Sequence, residues 1–465
     1  MTAQDWTLII LALAAIALLV VLVTRWKVNA FIALVLASLV VGGGAVVMGV
    51  EFKSADGTVR PLGILDVVSG FQGGLGVTLG GIAAVIGLGI MLGKLLAESG
   101  GAEVLAKRFS AFFGPHRVGL CIMALALAVG LTTWFAVGLV LLLPILLTLT
   151  RETRKPFLLL AIPLISMLSV MHGLMPPHPG PVVAIATLHA NTGMVLLWGF
   201  VIGIPVAFIA GPIFARRAAR LVEAQPPPMP DLATRPELIP PPFGLTLFSI
   251  LLPVALMLLA TIAELVLEKD SSVTKAALFV GNPTMALLIA VLFATWSLGR
   301  RCGYRRDQLL IFSEQCISGI GMTLLVVGGG GGFARVLNDG GVAKAMGALA
   351  TQAHLPPLLY GWMVAAFIRV ATGSATVSIT AASGLMVPVL AQHPEVNVEL
   401  LIIAIGCGSL FLSHLNDGGF WIVKECLGLS VNQTLRTWTV TETIVGILGL
   451  LLTLCVHAVW QMLHH

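Results

Sequence analysis

A few ionisable side chains lie inside long apolar stretches of this sequence, where charge is costly and a functional role is the default explanation. His172 and His414 end apolar runs, and imidazoles titrate close to neutral pH. Arg369 lies deep in another run, where it would pair either with a carboxylate solute or with a buried acid such as Asp417. Asp417, Glu425, His172 and His414 are candidate proton carriers. For each histidine, a hydrogen-bonded helix cap is an equally good explanation.

Two interruptions of the apolar pattern are predicted in the first half. The segment 131–144 combines hydroxyl residues with a proline, and the segment 172–181 holds four prolines within six residues, which no helix can continue. Both segments are nearly free of charge, which argues against exposed surface loops. Such breaks occur within a membrane only where protein buries them or where they line a cavity. The candidate solute contacts from these segments are Thr132, Thr133, His172 and His178.

A corresponding pair of interruptions is predicted in the second half. Small hydroxyl residues surround Gly373, and a helix beginning there would direct the positive end of its dipole toward an anion. Close packing of helices through small residues is the alternative explanation. The second interruption follows at 413–420. The candidate solute contacts from this half are Arg369, Ser374, Thr376, Ser378, His414 and Asn416.

The composition places the chain in a lipid bilayer. Of its 465 residues, 58% are hydrophobic and 10% are charged, and the mean hydropathy is +1.02. The net charge of +5 forms no stripe suited to nucleic acid, and the six cysteines show no CxxC pair or zinc-ligand spacing. No resident cofactor or metal is expected. Twelve apolar runs predict about 11 to 14 crossings or half-crossings.

Charge distribution predicts how the chain is threaded. Five basic clusters, placed in the cytoplasm by the positive-inside rule, put the N-terminus outside and the proline-rich interval 217–243 inside. That interval is predicted to link two units, residues 1–216 and 244–465. The clusters are Arg25/Lys27, Lys107/Arg108/Arg117, Arg151/Arg154/Lys155, Arg216/Arg217/Arg220 and Arg300/Arg301/Arg305/Arg306.

The two units carry matching landmarks in the same order. Gly101 and Gly341 are 240 positions apart (341 − 101), Pro144 and Pro388 are 244 apart (388 − 144), and His172 and His414 are 242 apart (414 − 172). Because the charge rule puts the first glycine inside and the second outside, the repeats are predicted to be inverted. Inverted repeats are typical of secondary transporters.

The chain resembles the gluconate permease (GntP) family of bacterial sugar-acid:proton symporters along essentially its whole length. The resemblance is most specific at residues 169–181, 373–377 and 411–425. It implies an all-α polytopic protein of the bacterial inner membrane, with scaffold helices and a transport domain that contains two interrupted helices and two re-entrant hairpins, near 131–150 and 370–391. It also implies elevator-type movement, sugar acids or D-serine as solutes, H⁺ as the coupling ion, and self-association through the scaffold.

One departure from the family pattern concerns Ala136. The family usually has an acidic residue in an aromatic-acid-Val-Gly stretch where this chain has Phe135-Ala136-Val137-Gly138. We expect Ala136 to change coupling or solute choice rather than fold. Import of a hexonate is the leading hypothesis, and symport of another small anion or zwitterion is the closest rival. A channel, or an intramembrane hydrolase using His414 and Asp417, represents a different class of function.

Overall fold

The computed structural model describes residues 2–53, 58–227, 239–268, 271–342, 344–345, 348, 355–414 and 417–464. Helices dominate these ranges, as the apolar runs predict. In the first half they are α1 Ala3–Thr24, α2 Ala30–Val47, α3 Ile64–Glu98, α4 Gly101–Phe113, α5 Val118–Gly130, α6 Phe135–Thr153, α7 Leu158–Leu174, α8 Pro179–Leu188, α9 Thr192–Phe208 and α10 Phe214–Leu221. In the second half they are α11 Phe243–Val266, α12 Ser272–Gly281, α13 Pro283–Ala294, α14 Arg306–Asp339, α15 Pro357–Thr372, α16 Ala375–Gln392, α17 Val398–Leu410, α18 Gly418–Cys426, α19 Val431–Thr434 and α20 Val440–His464.

The prediction of an all-α membrane protein is confirmed, with one small addition. Within the described ranges, eight helices are long and apolar enough to cross a bilayer, or nine if a pair in α3, bent by 42°, counts as one span. A two-stranded antiparallel hairpin joins α2 to α3, formed by β1 (Glu51–Lys53) and β2 (Val59–Pro61). The apolar pattern did not predict this hairpin, because three-residue strands leave no periodic signal.

Four breaks between the described helices each overlap a segment in which the sequence predicts an interruption. The first break, 131–134, separates α5 from α6, and the second, 175–178, separates α7 from α8. The third break, 373–374, separates α15 from α16, and the fourth separates α17 from α18, with residues 411–414 and 417 described. Proline and glycine end the helices locally, as at Gly373, which adopts a left-handed conformation (φ +71°) that L side chains rarely tolerate.

The second break and the α17 side of the fourth break lie on helices that the rest of the protein encloses. In α7 and α8 together, 89% of the most apolar window is buried, and α17 is buried at every position from Leu400 to Leu410. Helices α7 and α17 cross at glycines. A Cβ added to Gly406 of α17 would lie 2.6 Å from the carbonyl oxygen of Gly173 in α7. Such shielding explains how broken helices persist in a membrane protein.

The two halves have corresponding helices in the same order. The starts of α1 and α11 are 240 residues apart (243 − 3), those of α7 and α17 are 240 apart (398 − 158), and those of α8 and α18 are 239 apart (418 − 179). Packing between the halves is reciprocal: α2 packs on α14 and α13 on α3, while α8 packs on α16 and α18 on α6.

Candidate functional site

The first and second breaks meet through a histidine. The ring Nε2 of His178 lies 2.8 Å from the carbonyl oxygen of Gly130, the last residue of α5. The hydroxyls of Thr132 and Thr133 donate to the Val129 carbonyl at 3.3 and 2.8 Å. These contacts satisfy carbonyls that a helix leaves unpaired at its C-terminus. The predicted contacts Thr132, Thr133 and His178 therefore lie together, and their side chains cap the end of α5.

The third and fourth breaks repeat this arrangement. The ring Nε2 of His414 lies 3.2 Å from the carbonyl oxygen of Val370, near the end of α15. The hydroxyl of Ser374 caps α16 by accepting from the Val377 N–H at 3.3 Å. His414 thus makes the contact that His178 makes in the first half. Its counterpart by contact is His178, and not His172 as the sequence spacing predicts.

A buried ion pair joins the last turn of α15, just before the third break, to the fourth break. Nη2 of Arg369 lies 2.5 Å from Oδ2 of Asp417, and the two side chains are 4% and 9% exposed. The Ser413 hydroxyl also donates to Oδ2, and the Gly419 N–H donates to Oδ1 at 2.7 Å. The sequence predicts either a solute carboxylate or a buried acid as the partner of Arg369, and the structure shows the buried acid, Asp417. Three donors hold the Asp417 carboxylate in place.

Two hydrogen bonds connect the turn that precedes α20 to the fourth break. Trp438 Nε1 donates to the Ser413 hydroxyl at 2.7 Å, and the Thr439 hydroxyl donates to the Ser413 carbonyl at 2.6 Å. The Trp438 ring also lies 5.0 Å from the ring of Phe135, which begins α6. Trp438 belongs to a π-helical turn, Leu435–Thr439, and such turns are frequent at functional sites. Trp438 therefore connects the first break to the ion pair.

Glu442 is a buried acid in this region that the sequence reasoning missed. It lies four residues after Trp438 and is 0% exposed. Neither of its carboxylate oxygens has a hydrogen-bond partner among the described residues, although the Ser169 hydroxyl lies beside it. Arg369 and Asp417 are close enough to act on it electrostatically. The available signal was an acid inside an apolar run, the same signal that selects Arg369.

A cavity of about 540 Å³ opens beside the first break, between α3, α6 and α14. Lys94 supplies a positive charge there; its Nζ lies 2.7 Å from Glu98 Oε1 and 5.8 Å from the centre of the Phe312 ring. Ala136, the departure from the family pattern, lines the same cavity. We call this space the Lys94 cavity. Its polar lining comprises Lys94, Glu98, Thr132, Thr133 and Gln315.

The remaining predicted site residues are spread more widely. The Ser378 hydroxyl is buried and donates to the Ala365 carbonyl at 2.6 Å, while Thr376 lies half-buried in the first turn of α16. Glu425 is 72% exposed and pairs with Lys424 at 2.6 Å, outside the buried cluster. Asn416 lies outside the described residues. No group of three or more potential metal ligands occurs in the described part of the chain.

Comparison with known proteins gives the family. A sequence model of the GntP family permeases matches residues 6–459. This chain belongs to the GntP permease family. It is therefore a multi-pass membrane transport protein and not an enzyme.

Curated relatives in the family align along nearly the whole chain. The gluconate permease of Pseudomonas aeruginosa is 38% identical, over 97% of this chain and 98% of its own length. The L-idonate transporter of the Gnt-II system of Escherichia coli is 40% identical, over 97% and 99%. The D-serine transporter DsdX of Escherichia coli is 34% identical, over 97% and 98%.

Two solved transporters share the fold at low sequence identity. YdaH of Alcanivorax borkumensis superposes with a TM-score of 0.61 at 15% identity, over 91% of this chain and 96% of YdaH. MtrF of Neisseria gonorrhoeae gives a TM-score of 0.64 at 14% identity, over 91% and 93%. At this identity the likeness concerns the fold alone.

Proposed function

We propose that this GntP permease imports gluconate or a related hexonate together with protons. The observation that carries the proposal is the identity of 38–40%, over nearly full length, to permeases named for gluconate and L-idonate. The 34% identity to DsdX makes D-serine the second candidate solute. Both candidates are small and polar and carry a carboxylate, which a membrane-embedded site must neutralise.

The Lys94 cavity is the proposed solute site. Its volume of about 540 Å³ accommodates a small organic acid, and it opens at the first break. Lys94 is proposed to bind the carboxylate, since an ammonium group and a carboxylate form a strong charge-assisted hydrogen bond. Arg369 is the weaker candidate for this role, because it is 4% exposed and paired with Asp417. Lys94 also pairs with an acid, Glu98, but it is 31% exposed and lines the cavity. Thr132, Thr133 and Gln315 are proposed to face the solute hydroxyls.

Alternating access is proposed to follow from two inverted repeats, residues 1–216 and 244–465, with the cytoplasmic linker 217–243 between them. The near-constant separation of corresponding helices and the reciprocal packing of the halves support this proposal. The broken helices and the hairpins α5–α6 and α15–α16 would form the mobile domain. Residence in the bacterial inner membrane, with the N-terminus outside, and self-association through scaffold helices belong to the same proposal.

Uptake by purified protein in proteoliposomes tests the function. Radiolabelled gluconate should accumulate when the outside is more acidic than the inside, and excess L-idonate should compete with it. If D-serine competes and gluconate does not enter, the zwitterion becomes the solute. Flux that does not saturate would indicate a channel, and solute cleavage would indicate a hydrolase; either result would overturn the proposal.

A further inference from the structure

Glu442 differs from the other buried acid of the site in how it is bonded. Asp417 accepts hydrogen bonds from Arg369, Ser413 and Gly419, which occupy both of its oxygens. Glu442 is fully buried, and the neighbour placed to donate to it is the uncharged Ser169 hydroxyl. A carboxyl group that no charged donor holds loses no ion pair when it gains a proton. Glu442 is therefore the acid that is free to change protonation state without breaking the ion pair.

Two charges act on Glu442, Arg369 of α15 and Asp417 of the fourth break. The same two charges act on His172 of α7, whose ring lies 5.4 Å from that of His178. The other ionisable side chains on the elements packed against α20 are Glu399 and Cys407 of α17, Tyr360 of α15 and Arg436 of the π turn.

A proton on Glu442 changes the net charge of the buried cluster that it forms with Arg369 and Asp417. Arg369 and Asp417 cancel as an ion pair. With neutral imidazoles, ionised Glu442 leaves one uncompensated negative charge in the protein interior, which is costly. A proton on Glu442 removes that charge.

Two further buried atoms of this region have unused hydrogen-bonding capacity. Nε of Arg369 and Nδ1 of His172 also lack hydrogen-bond partners among the described residues. The Arg369 N–H can donate to a carboxylate, and a histidine nitrogen can pass a proton. Arg369 and His172 therefore keep hydrogen-bonding capacity that the described residues do not use.

We propose that Glu442 binds the proton that is transported with the solute, and that the Arg369–Asp417 pair stays intact while it does so. This inference rests on the proposed function, and it names the group that couples the proposed transport to protons. A sugar acid brings one negative charge, which ionised Glu442 repels and protonated Glu442 does not. Proton and anion therefore strengthen each other's binding, by the reciprocity of linked equilibria. Such mutual strengthening is what symport requires.

The test compares two transport assays on Glu442→Gln, whose side chain imitates the protonated acid. Counterflow exchange of gluconate needs only solute binding and movement of the carrier, and the variant should retain it. Accumulation driven by a pH gradient needs a proton site, and the variant should lose it. Glu442→Asp, which keeps an acid, should retain accumulation with an altered pH dependence. Glu395→Gln, at an exposed loop, is the matched control.

Gluconate affinity measured against pH gives an independent readout. If binding requires protonated Glu442, affinity falls as pH rises through its titration, with a limiting slope of about tenfold per pH unit for one proton. Glu442→Gln should remove this slope. If Glu442 had a purely structural role, Glu442→Gln would leave the pH slope of gluconate affinity unchanged.

Three results would overturn the inference. In the first, Glu442→Gln accumulates gluconate as the unmodified protein does. In the second, its affinity keeps the original pH slope. In the third, Glu442→Gln and Glu442→Asp both lose counterflow, which assigns Glu442 to structure. Failure of the proposed function is distinguishable from all three, because the unmodified protein would then show no gluconate counterflow.

Discussion

Lys94 is the residue on which solute affinity should depend most directly. Lys94→Ala removes the positive charge from the cavity and keeps the Glu98 carboxylate, whose Oε1 lies 2.7 Å from Lys94 Nζ, in its lining. A hydrogen bond to a charged group contributes about 1.5–3 kcal/mol, so the KM for gluconate should rise about 10- to 100-fold. Proteoliposome uptake kinetics measure this change.

Two comparison variants make the Lys94 result specific. Lys94→Arg keeps the charge and should recover part of the affinity. Lys107→Ala removes an exposed lysine on α4 and should leave KM unchanged. If Lys94→Ala transports with the original KM, the solute carboxylate binds elsewhere.

Ala136 is the second residue whose side chain should decide solute binding. It shares the cavity with Lys94, so Ala136→Glu places a carboxylate where it competes with the solute for the ammonium group. We expect weaker gluconate uptake and an altered pH profile, measured as initial rates between pH 5 and 8. Ala136→Gln has nearly the same size without the charge, so it should keep the original pH profile. Unchanged uptake, selectivity and pH profile in Ala136→Glu would remove any role of this position in coupling or specificity.

At the scale of elements, the crossing of α7 and α17 holds the two interrupted helices together. A methyl group added at Gly406 would meet the Gly173 carbonyl at 2.6 Å, and a backbone atom cannot rotate away as a side chain can. Gly406→Ala should therefore lower the free energy of unfolding by about 1–3 kcal/mol.

Thermal unfolding of purified protein in detergent measures that loss. Gly73→Ala is the matched control, because this exposed glycine of α3 has no atom within 4 Å of the added methyl. Its stability should stay the same or rise slightly, given the helix propensity of alanine. Equal thermal unfolding midpoints for Gly406→Ala and Gly73→Ala would show that α7 and α17 can move apart at their crossing without loss of stability.

The sequence predicts the elements better than it predicts their contacts. Apolar runs and proline or glycine positions are local signals, so the helices and all four breaks could be located. The correspondence between His178 and His414 could not, because His178 directly precedes α8, whereas His414 lies four positions before the start of α18 (418 − 414). Lys94 reaches the site only because α3 packs against the first break, which no local signal predicts. That packing is tight: a Cβ added to Gly93, the neighbour of Lys94, would lie 2.7 Å from the Thr132 carbonyl oxygen.

At the scale of the whole molecule, the decisive question is whether the halves are threaded in opposite senses. Glu152 and Gln392 test this directly, because both are exposed near the ends of corresponding helices, α6 and α16, and are 240 positions apart (392 − 152). Inverted threading puts Glu152 in the cytoplasm, beside the basic cluster at 151–155, and Gln392 outside.

Cysteine labelling of intact cells separates the two arrangements. In a background without the six native cysteines, a membrane-impermeant maleimide should label Gln392→Cys from outside and should label Glu152→Cys only after the cells are permeabilised. Parallel threading predicts equal accessibility at both positions. Alternating access by exchange of two matching halves requires that each half expose its hairpin to the opposite side of the membrane. Labelling of both positions from the same side would therefore contradict the transport mechanism while leaving the family assignment intact.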